Sequence, residues 1–192
     1  MKENNLNIND FVITLVAIEN VEKNSVGLIL EITTEEIVVF FIGKKIIIPT
    51  IKEKISFLDV NLTGKPYQIK ICNVCHVLKN ETEFDINQTD AKGRKTTRPS
   101  CKTCRIEIDG KSLIKEDSAK MDKIKPDKLF ICPICQKTSI VGITANLVKD
   151  HNHITGSGRE WICDSCNTGL GRFKDNIEIL ERAINYLHKY NE

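Results

Sequence analysis

Apolar and polar positions change places in short blocks over the first part of the chain. Between Asn9 and Val60, β-branched and aromatic runs at 11–18, 26–33, 36–41, 45–51 and 54–58 are broken by polar turns such as Gly43-Lys44. Blocks of that length, bounded by turn residues, indicate strands rather than helices. Several strands in so short a span predict a small antiparallel β-barrel over residues 1–66, with Asn61-Leu62-Thr63-Gly64-Lys65-Pro66 as its exit. Charges nearly balance in this part and no catalytic motif falls within it, so clamping DNA and simply folding or dimerising are both open to it. Further along the period changes. Residues 107–127 carry charged helix formers up to Pro126, which predicts one or two exposed helices acting as a spacer. Strands at 145–149 and 159–162 flank a glycine-containing turn at 153–158, and a short helix follows at 164–173. Ile177, Leu180, Ala183, Ile184 and Leu187 then recur at helical spacing behind a capping Asp175. They predict an amphipathic helix over 175–190 that packs on the second zinc unit described below or on a partner.

The blocks beyond residue 66 repeat. Ile71-Cys72-Asn73-Val74-Cys75 is matched sixty positions later by Ile131-Cys132-Pro133-Ile134-Cys135, and Asp90 by Asp150 at the same offset. Cys101-Lys102-Thr103-Cys104 is matched by Cys163-Asp164-Ser165-Cys166 after a slip of two. The fold class is therefore α+β in three parts: the barrel at 1–66, a first repeat at 67–127 and a second at 128–192. All 8 cysteines fall in these C-x-x-C pairs. Paired thiols of this kind predict two structural Zn2+ sites per chain, Cys72, Cys75, Cys101 and Cys104 in one, Cys132, Cys135, Cys163 and Cys166 in the other. Disulfides or redox pairs compete, although redox motifs rarely come four to a chain. Repeats this small cannot bury a sufficient core unaided, so metal binding becomes the source of their folding free energy.

Composition adds limits rather than direction: 41% hydrophobic and 28% charged residues are ordinary for a globular protein. The opening Met1-Lys2-Glu3-Asn4-Asn5 lacks the basic flank and apolar core of a secretion signal, and no apolar run approaches membrane-spanning length. A cytoplasmic location without membrane contact is the expectation. A net charge of +2 says little, but its distribution says more. Lys92, Arg94, Lys95, Arg98, Lys102 and Arg105 follow one another with no acidic residue among them. Such a run is either a solvated loop or a phosphate-binding face, and the adjacent zinc knuckles favour the second.

The candidate chemistry lies in the second repeat, from Asp150-His151-Asn152-His153-Ile154-Thr155-Gly156 to Cys163-Asp164-Ser165-Cys166-Asn167. A carboxylate, an imidazole and a carboxamide are gathered there beside a thiolate staple, one hard-donor site next to one soft. The first copy has Ala91 opposite His151 and Arg105 opposite Asn167. A methyl group takes no proton and a guanidinium ligates no cation, so the first copy is expected to be catalytically silent. Neighbouring strand residues point to opposite faces, so Asp150 and His151 can serve one substrate only where the strand bends. A capping pair at a turn is the plainer reading of the two.

C-x-x-C, D-H-x-H-x-T-G, C-x-x-C-N-x-x-L-G and an amphipathic helix, spanning 132–187, resemble the ββα-metal (His-Me finger, or HNH) nucleases of the recombination endonuclease VII type. The whole layout further resembles the small ββα-metal type II restriction endonucleases that recognise CGWCG. The resemblance implies that His151 is the general base and that Asp150 and Asn167 are ligands of one catalytic Mg2+. The commoner HNH arrangement has histidines at those two ligand positions; oxygen donors suit a harder cation than zinc. It further implies a homodimer cutting double-stranded DNA to 5′-phosphate and 3′-hydroxyl ends. Lys149, His153 and Arg159 would then lie near the DNA backbone, though His153 equally fits a structural hydrogen bond across the turn, and Lys149 and Arg159 fit solvated charges. A Holliday junction resolvase and a non-enzymatic zinc-knuckle module that only binds nucleic acid are the alternatives.

Overall fold

The computed structural model describes residues 6–191; the opening residues inspected for a secretion signal lie outside them. Strands β1 (Phe11–Thr14), β2 (Val26–Ile32), β3 (Ile37–Phe41), β4 (Ile46–Thr50) and β5 (Ile55–Phe57) form one antiparallel sheet in the order β4-β3-β2-β1-β5. Alternation along the strands turns Val12, Ile29, Val39, Phe41, Ile48 and Ile55 inward, where Ile18, Val21 and Ile37 complete the core. The expected barrel does not close. β4 and β5 are the two edges, and no pairing joins them among the described residues. The reason is length: β5 has three residues, entered through a tight 3-10 turn at Lys52–Lys54, and its register is taken up by β1 through Val12↔Phe57 and Thr14↔Ile55.

The two repeats fold alike. In the first, β6 (Ile69–Ile71) pairs with β7 (Leu78–Asn80) through Ile69↔Asn80 and Ile71↔Leu78. In the second, β10 (Leu129–Ile131) pairs with β11 (Thr138–Ile140) through Leu129↔Ile140 and Ile131↔Thr138, the same register sixty residues on. Each knuckle is closed by the same backbone bonds: Cys72 and Cys132 donate to Val77 and Lys137, while His76 and Gln136 donate back to the two cysteines. His76 and Gln136 share a left-handed conformation, φ 52° and 57°, so His76 belongs to the turn and not to the metal shell. A second hairpin follows in each copy, β8 (Ile86–Thr89) with β9 (Lys95–Thr97), and β12 (Leu147–His151) with β13 (Gly158–Cys163). A helix completes each, α1 (Lys102–Asp109) and α3 (Asp164–Arg172), with α2 (Lys115–Lys123) between the copies and α4 (Ile177–Tyr190) last.

Contacts divide the chain into two compact units, one ending at Ile106 and the next beginning at Glu107. In the first, Val26 donates to His76 and Leu78 to Asn24, which fastens the first zinc repeat to the sheet. In the second, α2 is no exposed spacer. Met121 is buried, and its carbonyl accepts the indole N–H of Trp161 on β13 at 2.9 Å. Lys149 of β12 also reaches α2, donating to Ser118 Oγ at 2.8 Å and Asp122 at 2.6 Å. α4 carries the predicted amphipathic pattern but buries none of its residues, and Ile177, Ile184 and Leu187 stand exposed. Asn176, not Asp175, is its cap, accepting the Ile179 N–H at 3.0 Å. No helix among the described residues is long and apolar enough to cross a membrane.

Candidate active site

Two strands, a turn and a helix carry the expected residues. The β12–β13 ladder is regular through Lys149↔Trp161 and resumes at His151↔Gly158, so Arg159 and Glu160 together face the single residue Asp150. That bulge supplies the bend the sequence required, because an extra residue breaks the strict alternation of faces. Asp150 is buried, 6% exposed, while His151 is half-buried. The turn beyond is built by Asn152, whose side chain accepts from the N–H groups of Ile154 at 2.8 Å and Thr155 at 3.1 Å. It is an Asx turn with a stated mechanism, the side chain standing in for a backbone acceptor.

His151 is oriented by a segment that carries no motif. Its Nε2 lies 3.2 Å from the carbonyl of Lys111. A carbonyl only accepts, so Nε2 is assigned the proton, and in the neutral ring Nδ1 keeps the lone pair. His153 lies parallel to His151, ring centroids 4.7 Å apart and planes 9° from parallel, and its own Nδ1 donates to the carbonyl of Asp109 at 2.9 Å. The segment is in turn bonded to the loop by Lys111 N–H to His153 O at 2.7 Å and Ile114 N–H to Gly156 O at 2.9 Å. Residues 109–114 therefore clamp the turn and hold both imidazoles. Nothing in the sequence marks them, because a main-chain carbonyl leaves no signature in residue identity.

Asp150 is held from the other side. Arg159 Nη1 donates to Asp150 Oδ2 at 3.1 Å and to Asp175 Oδ2 at 3.3 Å. Asn167 is the fourth residue of α3, which packs against β12 and β13 and is capped by Cys163. It is half-buried, and its side chain has no hydrogen-bond partner among the described residues. A carboxylate with one oxygen already bonded and a carboxamide without a partner fit a hard divalent cation by the chemistry of their donors.

The cysteine clusters fit zinc. In each group of four the sulfurs lie within 4.8 Å of one another, and Cys135 Sγ is 3.9 Å from Cys163 Sγ. Four thiolates at the usual Zn–S length require S···S spacings of about 3.8 Å. Convergence in fours, with every cysteine free, answers the disulfide reading. Burial pushes the Cys72 thiol up, but the backbone N–H groups of Cys101, Cys75 and Val74 outweigh it and hold the thiol at about 7. Cys132 is brought down to about 6 in the same way, against burial, by the N–H groups of Cys163, Cys135 and Ile134. Burial leads in raising four more: Cys75 to about 11, and Cys104, Cys163 and Cys166 upward.

The basic run lies on the first repeat. Lys92, Arg94 and Lys95 are exposed around the β8–β9 turn, Lys102 donates to the Thr82 carbonyl at 2.9 Å, and Arg98 and Arg105 are half-buried. Lys95 and Lys102 line an open cavity of about 730 Å³ together with Gln68, Glu81, Thr82 and Phe84. Of the residues expected near DNA in the second repeat, Lys149 is turned to α2, His153 to Asp109 and Arg159 to two carboxylates.

Three family models match the chain in succession: restriction endonuclease SH3 domain over residues 6–60, His-Me finger endonuclease beta4-alpha2 domain over 59–110, and recombination endonuclease VII over 111–189. Gene 59 protein of Mycobacterium phage D29 is 46% identical over 59 residues, 30% of this chain and 34% of that protein. Gene 59 protein of Mycobacterium phage L5 is 44% identical over 57 residues, 29% of this chain and 34% of that protein. The chain thus spans about a third of the length of these phage relatives. The crystal structure of the ββα-Me type II restriction endonuclease Hpy99I is 56% identical with a TM-score of 0.92, covering 96% of this chain and 100% of that one.

Proposed function

Because the chain belongs to the ββα-Me type II restriction endonucleases, we propose that it is a sequence-specific endonuclease of double-stranded DNA. It hydrolyses phosphodiesters with one divalent cation, Mg2+, and with His151 as general base. The observation that carries this reading is the 3.2 Å contact of His151 Nε2 with the Lys111 carbonyl: in a neutral ring it assigns the proton to Nε2 and leaves Nδ1 as the nitrogen able to take a proton from water. Asp150 and Asn167 supply the oxygen donors. A divalent cation held by these two would supply Lewis-acid stabilisation of the negative charge that develops in phosphodiester hydrolysis. The ends released are 5′-phosphate and 3′-hydroxyl.

The three parts divide the work. Residues 1–66 support the first zinc repeat, the 67–127 repeat holds DNA, and the 128–192 repeat cuts it. With Ala91 and Arg105 where a base and a ligand would stand, the first repeat grips phosphates through Lys92, Arg94, Lys95, Arg98, Lys102 and Arg105. His153 and Arg159 border the scissile phosphate, and Lys149 is the weakest of the expected contacts because α2 already holds its ammonium. A homodimer matches the two-fold axis of a palindromic site, each protomer cutting one strand. Reduced thiols and a DNA substrate both agree with a cytoplasmic protein.

The test sets linear duplex carrying CGWCG against a four-way junction, both in Mg2+. Discrete duplex fragments are expected. Selective junction cutting would favour the resolvase, a reading supported by the recombination endonuclease VII match over 111–189. No cutting of either would reduce the protein to a binding module. Light scattering of the purified protein checks the dimer, for which a monomer mass in the presence of duplex is the contrary result.

A further inference from the structure

Asp175 lies outside the ββα unit, in the turn between α3 and α4, and with Asn176 serving as the α4 cap its side chain is released from that task. Its backbone is left-handed, φ 50°, directly after Lys174 at φ 57°. Two such residues in succession are costly without glycine and persist only where surrounding contacts impose them, here including Asp175 N–H to Leu170 O at 3.0 Å. The carboxylate so placed is largely buried. It accepts from Arg159 Nη1 at 3.3 Å and lies 3.7 Å from Nε2 of His153.

Of the two neighbours, Arg159 is the one that Asp175 bonds. The same Arg159 nitrogen reaches Asp150, the acidic ligand, and His153 stacks on His151, the base. We propose that Asp175 is a positioning residue for cleavage: by holding Arg159 it sets the Asp150 carboxylate toward the cation. The inference rests on the metal-dependent reading given above. Its physical basis is charge sharing. A guanidinium held by Asp150 alone would neutralise that carboxylate and compete with a cation for it; shared between two carboxylates, it orients Asp150 and leaves the pair with negative charge for the cation to balance.

Asp175→Asn keeps the volume and removes the charge. The expected result is an increase of about tenfold or more in the Mg2+ concentration for half-maximal cleavage. Mn2+ binding to the DNA-free protein, followed by calorimetry, should weaken by a similar factor. Duplex affinity without added divalent metal, zinc content and Trp161 emission should stay at wild-type values, which separates positioning from folding. In an Arg159→Gln background Asp175→Asn should have little further effect, since both act through one contact. Should Asp175→Asn lose zinc or its native emission, Arg159→Lys tests the same contact from the other side, and it too should raise the metal requirement. A folded Asp175→Asn protein with unchanged Mg2+ half-saturation and Mn2+ affinity overturns the proposal, as does a full effect in the Arg159→Gln background. Wild-type protein that cleaves without divalent metal, or Asp150→Ala that cleaves normally, would instead overturn the reading of the site on which the proposal rests.

Discussion

Asp90 and Asp150 occupy the same place in the two repeats and have different employment. Asp90 accepts from the N–H groups of Lys92 and Arg94 and from the Arg94 side chain. The Arg94 backbone and guanidinium together hold its carboxyl below the usual range. It is consumed by its own turn. Asp150 is buried and bonded through one oxygen to Arg159, with His151 beside it in sequence. Asp90→Ala should therefore loosen the first turn and leave the cleavage step alone, while Asp150→Ala abolishes metal-dependent turnover with zinc content and fold intact. His151→Ala should lower single-turnover cleavage by about 10²–10⁴-fold, the range for a positioned general base, with duplex binding retained. Full cleavage by His151→Ala would remove the mechanism. At this scale the sequence is informative where chemistry resides in side chains: the cysteines are marked by their spacing and converge in fours, and Asp150, His151 and Asn167 are singled out by the family resemblance of the motif around them. It was silent on the Lys111 carbonyl, since every residue has one, and it assigned Asp175 to the cap because Asp175 and Asn176 are both good caps one position apart.

The same division holds for elements. The β12–turn–β13–α3 order was legible from local periodicity, and so was the need for a bend at Asp150, which the bulge at Lys149/His151 supplies. Closure of the N-terminal sheet was not, because pairing of its first and last edges is a long-range property and five strand patterns leave it undetermined. Nor was the role of 109–114, which reads as a polar spacer until its backbone is seen bonded to the turn. Gly110 allows that clamp. It has φ 60°, and a Cβ there would run into the carbonyl of His153. Gly110→Ala should cost about 1–2 kcal/mol for the left-handed backbone alone, and more for the collision. It should also slow cleavage by displacing the carbonyl that orients His151. Gly142→Ala is the control: φ is 74°, but nothing lies within 4 Å of the added carbon, so only the backbone cost applies and cleavage should be untouched. Urea unfolding and single-turnover rates on the two variants decide it, and equal loss of cleavage by both would argue against the clamp.

Across the whole molecule, stability is unevenly founded. The N-terminal sheet has a core of nine buried apolar side chains. The first zinc repeat centres on Cys72, Cys101, Cys104 and Phe84, the second on Cys132, Cys163 and Ile162, so each centre is mostly metal-binding sulfur. Structural zinc contributes on the order of 10–16 kcal/mol at neutral pH in comparable small sites, far above what one buried Phe or Ile gives. Stripping zinc should thus melt the repeats and spare the sheet. Trp161, the chain's only tryptophan, reports the second repeat directly, since it is buried on β13 with its N–H on Met121. Chelation should move its emission to the red, Zn2+ should restore it, and Mg2+ should not, which separates the structural from the catalytic metal although a chelator removes both. The pH dependence has a definite sign. Cys75 and Cys104 in one site, and Cys163 and Cys166 in the other, are pushed up by burial, so zinc entry must expel their protons and falling pH must favour its release. The red shift should appear at lower chelator concentration as the pH is lowered from neutrality. A zinc-free protein that keeps its native Trp161 emission would mean that the second repeat is held by something other than its four thiolates.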